Sequence, residues 1–114
     1  MLYEIGDVFT TASEQARGLM FREDYPEGAC ALFPYDEPRV LRFHGRNCLF
    51  PIIVVFVRED LSIDAWGVLE PDGAPVSSDG ECVLAVELKA TDANVAVASQ
   101  SVRAVLGEDG VTLL

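Results

Sequence analysis

The sequence predicts an α+β domain: a small curled, mostly antiparallel β-sheet or partly open barrel with one short N-terminal helix, all within a single domain over residues 1–114. Three observations lead there. Short alternating or β-branched apolar runs, separated by Gly, Pro, Asn and Asp clusters, recur along most of the chain. One clear helix-start signal stands near the N-terminus. Half of the 114 residues are hydrophobic, enough to pack one core but not two.

The elements follow in order. Leu2 to Phe9 alternate and read as a strand. Thr11-Ala12-Ser13-Glu14 fits a capping box, with Thr11 as N-cap and Glu14 reaching back. The following "SEQARGLM" reads as a short helix with Ala12, Ala16, Leu19 and Met20 on one face and Gly18 weakening its end. "YPEGA" is a turn, "CALFPY" a short strand ended by Pro34, "DEP" a second turn and "VLRF" a further strand. "GRN" at Gly45 to Asn47 favours a turn, and Pro51 belongs at the start of a strand or on an edge. "IIVVFV" is continuous and β-branched, so it reads as the most buried strand. "REDLS" is a hairpin turn with "SIDAWGVLEP" as the returning partner. Pro71 to Glu81 is the one long loop, and "CVLAVEL" a strand. "TDANVAVASQ" is ambiguous: Thr91 or Asp92 can cap a helix, yet Val95 and Val97 alternate as in a strand. "VRAVL" and "VTLL" flank "GEDG" as a closing hairpin.

Charge narrows the function. Nineteen acidic residues face eight basic ones, a formal net charge of −11, and a field of that sign repels nucleic acid and anionic membrane surfaces alike. The densest basic patch is Arg39, Arg42 and Arg46, which could hold a phosphate or carboxylate or could pair with Asp36 and Glu37. Lys89 is the only lysine beside seven arginines, a composition that fits either a salt-adapted source or a GC-rich genome. The start "MLYEIGDVFT" lacks the basic and apolar regions of a secretory leader, and the longest apolar stretch is about nine residues against the roughly 20 of a spanning helix. A soluble, cytoplasmic protein is the expectation. Cys30, Cys48 and Cys82 form an odd set without paired spacing, which fits free thiols in a reducing compartment.

Four segments taken in order, "ASEQARGLMFRE", "ALFPY", "RFHGRNCLFPIIVVFV" and "VLAVELKA", carry a resemblance. Together they resemble the family called domain of unknown function 192. Gly18, Leu19, Met20 and Arg22 match its Gly-Leu-Met-x-Arg box, Leu32 and Phe33 its Leu-Phe strand, and Asn47 and Pro51 keep their places in its third motif. Glu87 stands where the family has a Glu in a late apolar strand. His44, Gly45, Arg46 and Cys48 depart from the usual Trp, Met, Lys and Thr, Ile53 replaces an Asp, and Ala90-Thr91 replaces Ala-Gly. The resemblance implies a fold more than an activity.

Candidate sites each carry two readings. His44 and Cys48 could pair as a thiolate nucleophile with its base, if a bend brings them together; the plainer reading is a surface histidine and a small buried thiol. His44 with three scattered cysteines reaches four metal ligands by count alone, so no metal or other cofactor is expected. The adjacent acids Glu23-Asp24, Asp36-Glu37, Glu59-Asp60 and Glu108-Asp109 read as solvated turns. Trp66 is a core or rim residue, with a sugar-stacking platform as the sharper alternative. The Gly-Leu-Met box has one glycine and no lysine, so it seals a core and does not cradle phosphate.

Glu87 is the most informative residue. It faces solvent by alternation, pairs with Arg22 or Arg46, or serves a ligand, because a lone buried charge is costly. The leading expectation is a non-enzymatic accessory or binding module for a small molecule or protein, with Arg22, Arg46, Asn47 and Glu87 around a groove. The alternatives are a small thiol enzyme using Cys48 with His44, and a structural subunit that assembles through sheet edges.

Overall fold

The computed structural model describes all 114 residues, Met1–Leu114. In chain order the elements are β1 (Leu2–Val8), α1 (Ala12–Arg17), β2 (Ala29–Arg39), β3 (Arg42–Phe43), β4 (Ile52–Val57), β5 (Ile63–Leu69), β6 (Val76–Ser77), β7 (Cys82–Lys89), α2 (Asp92–Gln100), β8 (Ala104–Gly107) and β9 (Gly110–Leu113). Seven strands form one sheet in the order β5-β4-β7-β2-β1-β9-β8, and β3 pairs with β6 in a separate ribbon. Every pairing is antiparallel except β1 with β2. That pair is parallel because α1 and the segment after it form the crossover that parallel neighbours require.

The sheet curls until its two outer strands meet at one end. Ile63 donates its amide to the Val102 carbonyl and Ala104 donates to Leu61, both at 2.9 Å, around an antiparallel bridge between Ser62 and Arg103. The result is a partly closed barrel whose end strands are protected where they touch. β4 explains the unbroken "IIVVFV" run. Ile52, Val54 and Phe56 pack with Leu19, Phe33 and Leu41 on one face, while Ile53, Val55 and Val57 pack with Tyr3, Val86 and Ala98 on the other. A strand covered on both faces has no position to spare for a polar residue.

The capping box forms as read. The Glu14 amide donates to Thr11 Oγ1 at 3.1 Å and the Thr11 amide donates to Glu14 Oε1 at 3.0 Å. The helix ends sooner than the sequence suggests, at Arg17, because Gly18 turns the chain with φ +47°. It also buries none of its own residues: Ala12 and Ala16 are exposed, and only Leu19 beyond its end reaches the core. The helix is a lid held by its ends; Gln15 Nε2 donates to the carbonyls of Phe9 and Pro34, both at 2.9 Å.

Three further expectations need correction. β2 does not stop at Pro34 but continues to Arg39 through "DEP", because the β2–β7 register shifts between Pro34 and Arg39 and absorbs the missing amides. The strand expected over "VLRF" shrinks to Arg42–Phe43, and its partner β6 lies inside the expected loop. A second helix, α2, joins the single one expected. Thr91 caps it by accepting from the Asn94 amide at 3.2 Å.

Asn94 anchors α2 although it is polar and only 1% exposed. Its Oδ1 accepts from Tyr3 Oη at 2.8 Å, and its Nδ2 donates to the carbonyls of Glu27 and Lys89, both at 2.9 Å. One side chain thereby ties together α2, β1, the end of β7 and the turn before β2. Asn94→Ala removes three hydrogen bonds and leaves the buried Tyr3 hydroxyl without its partner, so it should lower the unfolding free energy in urea by about 3 kcal/mol, whereas Ser99→Ala on the exposed face of the same helix should change it by less than about 0.5 kcal/mol.

Candidate functional site

β7 runs through the middle of the sheet, between β4 and β2. Along it Cys82, Leu84, Ala85, Val86 and Leu88 are buried apolar residues, and Glu87 interrupts them at 4% exposure. Its register partners are Val54 on β4 and Ala31 on β2. Ala31 is small, so the sheet leaves room beside the carboxyl. Above that room lies a cleft of about 240 Å³. α1 and the Gly18–Met20 turn form one wall. Phe33 and Tyr35 of β2 form another, and Phe43, His44 and Cys48 close the third.

Glu87 has no ion-pair partner, and no protein group hydrogen-bonds its carboxyl. Neither oxygen is sealed off, since no unpartnered polar atom of the chain is fully buried. The carboxyl therefore addresses the cleft. Burial alone pushes it up from an ordinary 4.5 to about 8, so it is mostly protonated at neutral pH.

The expected pairing of Glu87 with Arg22 or Arg46 does not occur. Arg22 instead makes a two-pronged pair with Asp7 on β1, both contacts at 2.8 Å, and Tyr25 Oη donates to the same carboxylate at 2.9 Å. The arginine and tyrosine donors hold Asp7 below its usual range against the opposing effect of burial, which is the largest single influence. Arg22 thus latches the crossover onto the sheet. Arg46 is exposed, and its amide donates to His44 Nδ1 at 3.2 Å.

Asn47 takes φ +59° and its carbonyl accepts from the Phe21 amide at 2.8 Å, which joins the Gly-Leu-Met turn to the turn before β4. Gly45 sits in that turn because any side chain there would collide with the Glu70 carbonyl. Of the six candidate residues, Glu87, His44 and Cys48 line the cleft, whereas Arg22, Arg46 and Asn47 do not, so the expected groove around those three with Glu87 is not formed.

Cys48 is 7% exposed, and burial, followed by the nearby charges of Glu87 and Asp72, pushes its thiol up to about 11. A neutral buried thiol is not the form that attacks substrates. Cys30 and Cys82 are also free and buried, and no group of three His, Cys, Asp or Glu side chains converges to hold a metal ion. Trp66 lies on the edge strand β5 at 37% exposure, away from the cleft.

Three cleft residues escaped the sequence reading altogether: Gln15, Arg17 and Tyr35. Arg39 and Arg42, weighed only as a loose patch with Arg46, also line it, and neither forms an ion pair with Asp36 or Glu37. Arg39 stacks over the Tyr35 ring at 4.3 Å from its centroid.

The family model of domain of unknown function 192, described as an uncharacterized ACR, matches residues 6–102. Among curated proteins none matches significantly. A crystal structure of a protein of unknown function from Novosphingobium aromaticivorans aligns with TM-score 0.76 at 23% identity, over 92% of this chain and 71% of that one. A candidate transcription regulator from Sinorhizobium meliloti aligns with TM-score 0.73 at 19% identity, over 94% of this chain and 78% of that one. At such identities the likeness is one of fold.

Two outcomes follow from the site. Because the Glu87 pKa is raised on folding, the stability linked to this proton is fully present below about pH 4.5 and is lost as pH rises through about 8. Melting curves across that range should show wild type losing stability relative to Glu87→Gln, and parallel curves would contradict the burial account. Alkylation of Cys48, followed by mass spectrometry at pH 7, should track global unfolding and not precede it.

Proposed function

The chain belongs to the domain of unknown function 192 family, and from that premise we propose that it is a non-catalytic module that binds a small molecule in the Glu87 cleft. The observation that carries this reading is the unpartnered carboxyl at the base of the cleft. A buried acid without a partner destabilises a fold, and replacement of such groups by apolar residues of similar size is commonly neutral or stabilising. A leucine at position 87 would suit β7 better if packing were the only demand. A ligand that hydrogen-bonds the carboxyl gives the acid a reason to be there.

The cleft volume, about 240 Å³, falls just below the roughly 300–1,000 Å³ of drug-sized sites, so the ligand is small. Its walls combine aromatic rings with a few polar groups, the usual composition of such sites. The thiol-enzyme alternative is the weaker one because Cys48 is buried and neutral. Assembly through sheet edges is also weaker, since the outer strands already hydrogen-bond each other at one end. A nucleic-acid role has a net charge of −11 against it.

Backbone amide NMR of the labelled chain with a panel of small polar fragments tests the proposal. Saturable shifts centred on Gly18, Phe43, Cys48 and Glu87 are expected. Glu87→Leu should melt higher than wild type at pH 7 and should lose those shifts. A panel that moves no cleft amide, or a leucine variant that binds equally well, would overturn the reading.

A further inference from the structure

The chain carries nineteen acidic residues against eight basic ones, yet the cleft inverts that balance. Its lining includes Arg17, Arg39 and Arg42, three of the seven arginines, and Glu87 as the sole acid. None of these three arginines is in an ion pair, although Asp36 and Glu37 lie close in sequence to Arg39. The ion pairs that do form lie elsewhere, at Arg22, Arg58 and Lys89. Three cations to one acid around the cleft reverse the ratio of the whole chain and favour an anionic guest there, although Arg39 also borders a neighbouring hollow with Asp36 and Glu37.

The three arginines come from separate elements. Arg17 ends α1, Arg39 ends β2 and Arg42 begins β3. Arg39 is held in place by its stack on Tyr35, so its planar donors are partly pre-oriented. The rings of Phe43 and Phe33, packed edge to face at 5.0 Å, line the same cleft, as does Glu87, which is 4% exposed where Arg17, Arg39 and Arg42 are exposed.

We propose that the cleft selects small organic acids, with an oxyanion head (carboxylate or phosphate) held at the mouth by Arg17, Arg39 and Arg42, an apolar body against Tyr35 and Phe43, and a hydrogen-bonding group at the far end that meets Glu87. This rests on the cleft being a ligand site and adds the charge and shape of the ligand. The volume limits the guest to a small molecule and leaves little room for a peptide segment.

The test is a titration of the full-length chain with four probes of one shape at constant ionic strength: benzoate, phenyl phosphate, benzamide and benzylammonium. Benzoate or phenyl phosphate should saturate the cleft amides, and whichever binds more tightly identifies the head. Benzamide should bind at least about tenfold more weakly, and benzylammonium should not bind. Arg39→Gln with Arg42→Gln, both exposed positions that the core does not need, should weaken the preferred anion by about tenfold or more, while Arg103→Gln outside the cleft should leave it unchanged. Binding of benzamide or benzylammonium as tight as that of the anions would overturn the charge selectivity yet leave the cleft a ligand site. Absence of saturable anion binding at the cleft would also overturn it, and the fragment panel then tells whether the cleft binds anything.

Discussion

A strand in the middle of a sheet that is covered on both faces imposes a strict condition. Each of its side chains must be apolar, partnered inside the protein, or directed at a cavity. β7 meets that condition with apolar residues at nearly every position and with Glu87 as the exception. Much of the surrounding structure serves the third option. Ala31 leaves space beside the carboxyl, α1 spans that space without filling it, and the turn at Gly45–Asn47 brings Cys48 and the Gly18–Met20 turn to its border. The helix that buries none of its residues is understandable in this light. It roofs a hollow and contributes little to a core.

The motifs of the family acquire separate physical roles. Gly18 turns the chain where a side chain would press on the Phe33 ring, and Leu19 seals the core beneath it. Arg22 latches the parallel crossover to Asp7, a structural pair that is partly exposed and therefore modest in energy. Asn47 supplies a left-handed residue whose carbonyl ties two of the motifs together. Glu87 is the only one of these with a buried ionisable side chain that no protein group partners. That contrast separates residues that build the cleft from the residue the cleft is built around.

The sequence made some of this legible and hid the rest for identifiable reasons. β4 was readable because double-sided burial leaves an unbroken β-branched run, and α1 because Thr11 and Glu14 form a complete capping box. α2 was obscure because its buried residues are Asn94 and Ala98, which mark no apolar stripe, while Val95 and Val97 mimic strand alternation. The length of β2 was hidden by two prolines that a register shift accommodates. Glu87 stood out as an acid within an apolar strand, but its supposed partners did not follow. Arg22 finds Asp7, fifteen residues earlier, through a parallel pairing that no local pattern announces. Arg17, Arg39 and Arg42 line one cleft from three elements, a juxtaposition that only the fold shows.

The central claim is that Glu87 is an unpartnered, protonated acid facing a cleft. The most direct measurement is the pH titration of its side-chain carboxyl carbon by NMR in the folded protein, assigned by comparison with Glu87→Gln. The account predicts a midpoint near 8, far above the ordinary 4.5. A midpoint near 4.5 would mean that the carboxyl is solvated or paired at neutral pH, and the case for a ligand site built around it would fall.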